Sequence, residues 1–213
     1  MLKKFLLVLI VIAAVNCYPQ PPVWLNHFKV PFLRSVNNDK WTGMMYYDWT
    51  NNKERLDSDK SQKDSFCSTV YPTDEKCIQV VKDSWRYIYV PNYEGGKCCK
   101  CCNTTMGCGI MKNNWLDGAT YIGHEKWNGT DCIGWEQKGN QNNYYFVQSN
   151  VYPTLQIPCA IRINSTQVDE KYIFNRTKFD RSPLDPKVFD VIPENCNQLC
   201  KNEKQKSFCE YFQ

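Results

Sequence analysis

Apolar and polar positions alternate with a period of two along most of this chain, the repeat of half-buried strands. Ser84–Val90 shows it most cleanly. Trp85, Tyr87 and Tyr89 fall on one face, and Arg86, Ile88 and Val90 on the other. Between 155 and 163, Leu155, Ile157, Cys159, Ile161 and Ile163 share a face against Gln156, Pro158, Ala160 and Arg162. Between Trp41 and Trp49, Met44, Tyr46 and Asp48 oppose Met45, Tyr47 and Trp49. The turn residues Asn51-Asn52-Lys53 and a return over Glu54–Asp57 make this stretch a hairpin. Further strands are predicted at Ala119–Gly123, Cys132–Glu136, Tyr144–Gln148 and Lys171–Phe174.

Other stretches lack this repeat. Pro19, Pro21, Pro22 and Pro31 interrupt residues 18–40, which are expected to be irregular and to run over the surface. Ser58–Ser65 reads as a polar loop. Helix is expected at Asp74–Lys82 and in a short C-terminal element from about residue 193, where Pro193 suits a first turn. Cys196 and Cys200, four apart, would share a face of that helix and bond outward. The predicted class is therefore mostly β with a short C-terminal helix.

The start of the chain bears on location. Lys3 and Lys4 precede the apolar run Phe5–Val15, which Asn16-Cys17-Tyr18 ends. This is the layout of a secretory signal peptide over residues 1–17. The run is shorter than the roughly 20 apolar residues of a membrane span, and no second long apolar stretch follows. Residues 41–213 are then one domain, and the expected location is extracellular or the lumen of the secretory and endolysosomal pathway.

Thirteen cysteines become twelve when Cys17 is removed, an even number. They are Cys67, Cys77, Cys98, Cys99, Cys101, Cys102, Cys108, Cys132, Cys159, Cys196, Cys200 and Cys209. In an oxidising compartment they read as disulfides that staple the fold. Cys67 and Cys77 bracket the turn Tyr71-Pro72-Thr73-Asp74. In Cys98-Cys99-Lys100-Cys101-Cys102, neighbouring side chains on a strand point to opposite faces, so adjacent cysteines reach different partners. The same spacing offers C-x-x-C pairs for a structural zinc or a redox site, but no histidine lies near the cluster and no thioredoxin-like βαβ pattern surrounds it.

Charge narrows the partners. The formal net charge of +4 falls when Lys3 and Lys4 leave with the signal peptide, to 24 basic against 22 acidic residues. Near neutrality argues against nucleic acid. Four Asn-x-Ser/Thr sequons, at Asn103, Asn128, Asn164 and Asn175, indicate a glycosylated surface.

Catalytic chemistry is sparse. The two histidines, His27 and His124, exclude a three-histidine metal site. No G-x-S-x-G, H-E-x-x-H or Walker pattern occurs. His124, near Glu125, Asp131 and Cys132, could form a nucleophilic pair, but also reads as a surface residue at a strand end. Asp48, Asp57 and Asp117 are candidate acids of a hydrolase, and Asp117-Gly118 is equally a turn. Aromatic residues, 14% of the chain, are the stronger functional signal because they sit on strand-like runs. Trp85, Tyr87, Tyr89, Trp115, Tyr121, Trp135, Tyr145 and Phe146 read either as an ordinary core or as the lining of an apolar pocket.

Two blocks carry a family resemblance. The first is Tyr46-Tyr47-Asp48-Trp49 with Asn51 and Arg55-Leu56. The second is Met111–Gly123, with Trp115-Leu116 and Gly118-Ala119-Thr120-Tyr121-Ile122-Gly123, followed by Cys132, Trp135 and Pro153. Over residues 41–163 the chain resembles ependymin-related secreted glycoproteins and similar secreted cysteine-containing proteins of plants and protists. That resemblance implies two stacked antiparallel sheets in a half-barrel shaped like bacterial lipoprotein carriers. It also implies a hydrophobic or lipid ligand, with calcium and contact with the extracellular matrix or cell surface as associated properties. The Cys98–Cys102 cluster and the Cys196, Cys200 and Cys209 tail depart from the family pattern. The expected function is non-covalent binding of an apolar ligand. The alternatives are a structural or adhesive glycoprotein without a pocket, and an extracellular hydrolase.

Overall fold

The computed structural model describes residues 18–37, 39–71, 73–139, 141–164 and 169–200. Eleven strands form one antiparallel sheet. They are β1 His27–Val36, β2 Asp39–Asp48, β3 Lys53–Ser58, β4 Cys77–Lys82, β5 Trp85–Val90 and β6 Lys97–Asn103, then β7 Thr120–Trp127, β8 Thr130–Gln137, β9 Asn142–Gln148, β10 Pro158–Asn164 and β11 Asp169–Phe174. The one α-helix among the described residues, α1 (Ser65–Val70), lies between β3 and β4. The strand order is β6-β5-β4-β3-β2-β1-β11-β10-β9-β8-β7. Hairpins therefore run outward from β1 to one edge, and from β11 to the other. The connection over residues 104–119 joins β6 to β7, and so crosses from one edge of the sheet to the opposite edge.

The sheet curves around its own apolar face. Trp24 lies 5.2 Å from the Tyr47 ring on β2 and 5.6 Å from the Tyr145 ring on β9. Four strand spacings separate β2 from β9, about 19 Å in a flat sheet. One indole touches both only because the two halves of the sheet bend toward each other. The two predicted layers are thus two halves of a single continuous sheet. The core between them contains Phe28, Val30, Phe32, Met45, Tyr47, Ile133, Trp135, Tyr145, Val147, Ile161 and Phe174 from strands, with Trp24 and Leu116 from irregular segments.

Every predicted strand is present, with shifted ends. Three expectations are corrected. Residues 27–36, expected to be irregular, are the central strand β1 despite Pro31. The Pro31 carbonyl accepts from Asn175 N, so its nitrogen faces the same side, where β11 has just ended at Phe174 and no ladder donor is needed. The helix expected at Asp74–Lys82 is strand β4, buried at Cys77–Val81. No helix forms over residues 193–200. Cys196 and Cys200 bond to Cys98 and Cys99, adjacent residues whose side chains leave β6 on opposite faces. One face of a helix would not reach both. The segment runs along the outer edge of β6 instead, with Lys100 N donating to Gln198 O and Cys200 N donating to Lys100 O. The continuation of the expected helical tail, with Cys209, lies outside the described residues.

Further staples run Cys67–Cys77, Cys102–Cys108 and Cys132–Cys159, and Cys101 is also disulfide-bonded. Oxidised sulfurs are not zinc ligands, so neither the zinc nor the free redox reading of Cys98–Cys102 survives.

In the polar loop after β3, Asp59, Lys60 and Gln62 are exposed, whereas Ser58, Ser61 and Asp64 are buried. Asp64 caps α1, its Oδ1 accepting from Phe66 N and Cys67 N at 3.0 Å and from Gln79 Nε2 at 2.8 Å. Its other oxygen accepts from Arg34, whose Nε donates to Glu170 at 2.5 Å. The Arg34 guanidinium lies 5.1 Å from the Trp41 ring and 4.9 Å from the Tyr172 ring, residues paired with it on β2 and β11. Gln79 passes the chain to Arg86, and Arg86 to Glu54. This buried polar run ties β11, β1, β3, β4, β5 and α1 together.

Loop-closure entropy makes the Cys132–Cys159 bond, which closes 27 residues, worth more than Cys102–Cys108, which closes 6, whereas Cys98–Cys196 and Cys99–Cys200 close nearly the same loop and back each other up. In the chain-entropy description the values for Cys132–Cys159 and Cys102–Cys108 are about 3.5 and about 2 kcal/mol. Urea denaturation should show the larger loss for Cys132→Ser/Cys159→Ser than for Cys102→Ser/Cys108→Ser. Alkali tests the buried phenols. Burial pushes the Tyr47 and Tyr145 phenols above the ordinary value of 10.0, Glu54 adding to the effect at Tyr47. Their neutral forms stabilise the fold fully below pH 10, and that stability is lost as the unfolded chain ionises above it. Unfolding free energy should hold steady to about pH 9 and then fall, and Tyr145→Phe should reduce the fall.

Candidate functional site: an aromatic cleft closed by two irregular segments

The floor of the cleft is built by strand alternation. Phe28 on β1, Tyr47 on β2, Trp135 on β8 and Tyr145 on β9 all point inward. The rings that fill it come from elsewhere. Trp24 belongs to the segment before β1, and Trp115 and Leu116 belong to the connection across the edges. Trp24 meets Phe28, Tyr47 and Trp115 edge to face, at 5.5, 5.2 and 5.8 Å. Phe28 stacks on Tyr47 at 5.0 Å. Trp24 is only 5% exposed.

Few polar bonds hold these fillers. Trp24 N donates to Asn113 O at 2.7 Å, joining the two segments. Trp135 Nε1 donates to Pro19 O at 3.3 Å, the Tyr152 hydroxyl donates to Gln20 O, and the Tyr47 hydroxyl donates to Met111 O at 2.9 Å. Beside Trp24 lies a cavity of about 10 Å³, lined by Trp24, Leu25, Phe28, Tyr145, Gln156, Pro158 and Phe179. That is room for one water-sized group. Gln156 Oε1 is buried there without a hydrogen-bond partner, and the Trp24 indole N–H has the Tyr145 hydroxyl as its acceptor.

Half of the predicted aromatic lining gathers in the cleft. Trp115, Tyr121, Trp135 and Tyr145 join the core, with Tyr121 at the rim between Tyr18 and Trp135. The other four are elsewhere. Phe146 faces the opposite side of the sheet, packed on Trp127 at 5.0 Å and lying over Gly134. Trp85, Tyr87 and Tyr89 alternate with Arg86, whose guanidinium reaches Glu54 and Gly109 O on the cleft side. Their rings therefore face away, with Lys100 Nζ 5.6 Å from Trp85 and 5.9 Å from Tyr87. The five-residue apolar face over 155–163 is also divided. A bulge between Pro158 and Ala160 sends Cys159 outward to Cys132, while Ile161 and Ile163 stay with the core.

Sequence reasoning missed Trp24, Leu25, Gln156 and Phe179. The proline count in residues 18–40 hid the apolar cluster Val23-Trp24-Leu25. Gln156 read as an ordinary polar-face residue, because the bulge after it leaves no mark in the composition.

The candidate catalytic residues do not assemble. His124 Nδ1 lies 2.8 Å from Asp131 Oδ2, and the Ser149 hydroxyl donates to the same oxygen at 2.5 Å. The carboxylate sits between the other two, so histidine does not face serine and no nucleophile is activated. Ser149 first, and then His124, hold the Asp131 carboxyl below the usual carboxylate range. His124 and Asp131 are exposed rather than set in a cleft. Cys132 is consumed by its disulfide, and Glu125 is exposed. Asp48 caps the hairpin turn through Asn51, Asp57 pairs with Arg55 and Lys76, and Asp117 accepts from Asn114. Among the described residues, no three His, Cys, Asp or Glu side chains are grouped to hold a metal ion. Nor is any described helix long and apolar enough to cross a membrane. The sequon residues Asn128 and Asn175 are exposed, and Asn103 and Asn164 are half-buried.

No family model matches the chain, and no curated protein matches it. Solved structures are similar in fold. An uncharacterised conserved protein from Thermus thermophilus is 8% identical with a TM-score of 0.49, over 80% of this chain and 89% of that one. MucB is 10% identical with a TM-score of 0.45, over 83% of this chain and 61% of that one. A chain of the Pseudomonas aeruginosa MucA/MucB complex is 11% identical with a TM-score of 0.44, over 76% of this chain and 54% of that one. This chain thus spans less than two thirds of the two MucB-related chains. At these identities and scores, none of the likenesses carries a function across.

Proposed function

We propose that this is a secreted, non-catalytic glycoprotein that binds an apolar, lipid-like ligand in the aromatic cleft. One observation carries the reading. The floor of the cleft is made by strands, whereas the rings occupying it, Trp24 and Trp115, ride on two segments outside the sheet. Such a filler can leave without breaking a strand ladder. The ligand would take the place of Trp24 against Phe28, Tyr47 and Tyr145, so binding competes with the chain's own plug. The ependymin-related resemblance agrees with this reading, and the disulfides and sequons agree with an extracellular location. Calcium and matrix contact rest on that resemblance alone.

A second reading is a structural glycoprotein whose core is permanently filled. The depth at which Trp24 is buried, among four rings, favours it.

The neutral fluorescent probe N-phenyl-1-naphthylamine separates the two. Wild type is expected to bind it, and Trp24→Ala to bind it about tenfold more tightly, because the competitor is gone. Trp115→Ala provides a second opening should Trp24→Ala fold poorly. A folded wild type and folded Trp115→Ala protein that both ignore the probe would leave the structural reading standing. His124→Ala is expected to leave folding and probe binding unchanged. An ester- or peptide-cleaving activity that disappears in that variant would return the hydrolase reading.

A further inference from the structure

We infer that the cleft selects a ligand whose polar end is an uncharged hydrogen-bond donor, a hydroxyl or an amide N–H, seated against Gln156. This rests on the binding reading above and specifies the ligand's class. The cavity beside Trp24 marks the seat. Its lining of Trp24, Leu25, Phe28, Tyr145, Gln156, Pro158 and Phe179 contains no lysine, arginine, histidine or carboxylate. An ionised head would lose its water there and gain no counter-charge. The polar groups in the lining are those of Trp24, Tyr145 and Gln156, and the unmet acceptor among them is Gln156 Oε1. A hydroxyl or amide can donate to that oxygen. An ionised carboxylate only accepts, so it would face Oε1 with like polarity.

The size agrees. About 10 Å³ admits one water-sized group, the bulk of a terminal hydroxyl, while the ligand's apolar body takes the larger space that Trp24 occupies. The plug is also a poor polar match for its own seat. With Trp24 in place, the Gln156 oxygen is buried without a partner, while the indole N–H has the Tyr145 hydroxyl as its acceptor. Exchange would relieve the first, because the ligand donates to Gln156. Buried unpaired groups are what a competing ligand can most profitably satisfy.

The test is displacement of N-phenyl-1-naphthylamine from the whole secreted protein by 1-dodecanol and, separately, by dodecanoate, above the acid's titration range. Dodecanol should displace the probe at about tenfold lower concentration, the worth of one satisfied buried acceptor. Gln156→Leu should keep probe binding and weaken displacement by dodecanol about tenfold, while dodecanoate stays a poor competitor because its charge still finds no counter-charge. Equal displacement by the two competitors in wild type would overturn the inference and leave the binding reading intact. Displacement by dodecanol that is unchanged in Gln156→Leu would overturn it too. Failure of the probe to bind at all would remove the binding reading and this inference together.

Discussion

An open sheet of eleven strands has one apolar face too large to leave in water, and covering that face governs everything else in this molecule. The described chain has almost no helix to lay across it: α1 spans six residues and packs with β4, β5 and β6. The sheet therefore bends, and its two halves share one set of aromatic rings. Trp24 is the piece that both halves touch. A buried indole removes roughly 150–250 Å² from water, at about 25 cal/mol per Å² of apolar area. That is several kcal/mol concentrated at one position, against a net stability of roughly 5–15 kcal/mol for a domain. The topology makes the same demand from the other side. Because β6 and β7 are opposite edges, the chain between them has to cross the open mouth, and it brings Trp115 and Leu116 with it.

The second half of the face is held by charge instead of rings. Arg34 occupies an inward position of β1, in line with Phe28, Val30 and Phe32. A cation there is tolerable only because every side of it is matched: Trp41 and Tyr172 on its faces, Asp64 and Glu170 at its nitrogens. Asp64 in turn fixes the first turn of α1, and Gln79 carries the polar chain on toward Arg86 and Glu54. The cleft ends where this network begins. Aromatic and polar parts of one face are thus held by different means, the first by rings on segments outside the sheet and the second by a buried network of charges and amides.

Much of the sheet was legible from the sequence because strand alternation is a local signal. Trp85–Val90 and the Trp41 hairpin need only the period of two. What was not legible depended on partners far along the chain. Pro31 argued against a central strand, and only the end of β11 beside it makes the strand possible. The helix expected from the Cys196/Cys200 spacing failed because those cysteines answer to adjacent residues on opposite faces of β6. Ser58–Ser65 read as a polar loop, but nothing local set Asp64 apart from its neighbours, because the Arg34 that pairs with it inside the fold lies 30 residues away. Of the aromatics singled out, Trp115, Tyr121, Trp135 and Tyr145 share the core around Trp24, while Trp85, Tyr87, Tyr89 and Phe146 lie elsewhere, since composition cannot tell the two faces of a strand apart.

The two edges of an open sheet invite pairing with other chains, and each is blocked differently. Along β6, the segment ending at Cys200 lies against the strand and is bolted there by Cys98–Cys196 and Cys99–Cys200. Along β7, a bulge between Tyr121 and Gly123 breaks the ladder, and His124, Glu125 and Lys126 follow as exposed polar side chains. The sequon at Asn128 stands at the end of that strand, so a glycan there would obstruct it further. These devices suppress association through the backbone. They do not act on the concave face, which is closed instead by Trp24 and Trp115 on segments outside the sheet. Buried polar atoms without partners occur there, as at Gln156, and also away from it, at Trp41, Arg86, Trp127 and Gln137, so they do not single this face out. Backbone and side chains thus close the sheet by separate means: disulfides, a bulge and charge at the edges, and aromatic packing across the concave face.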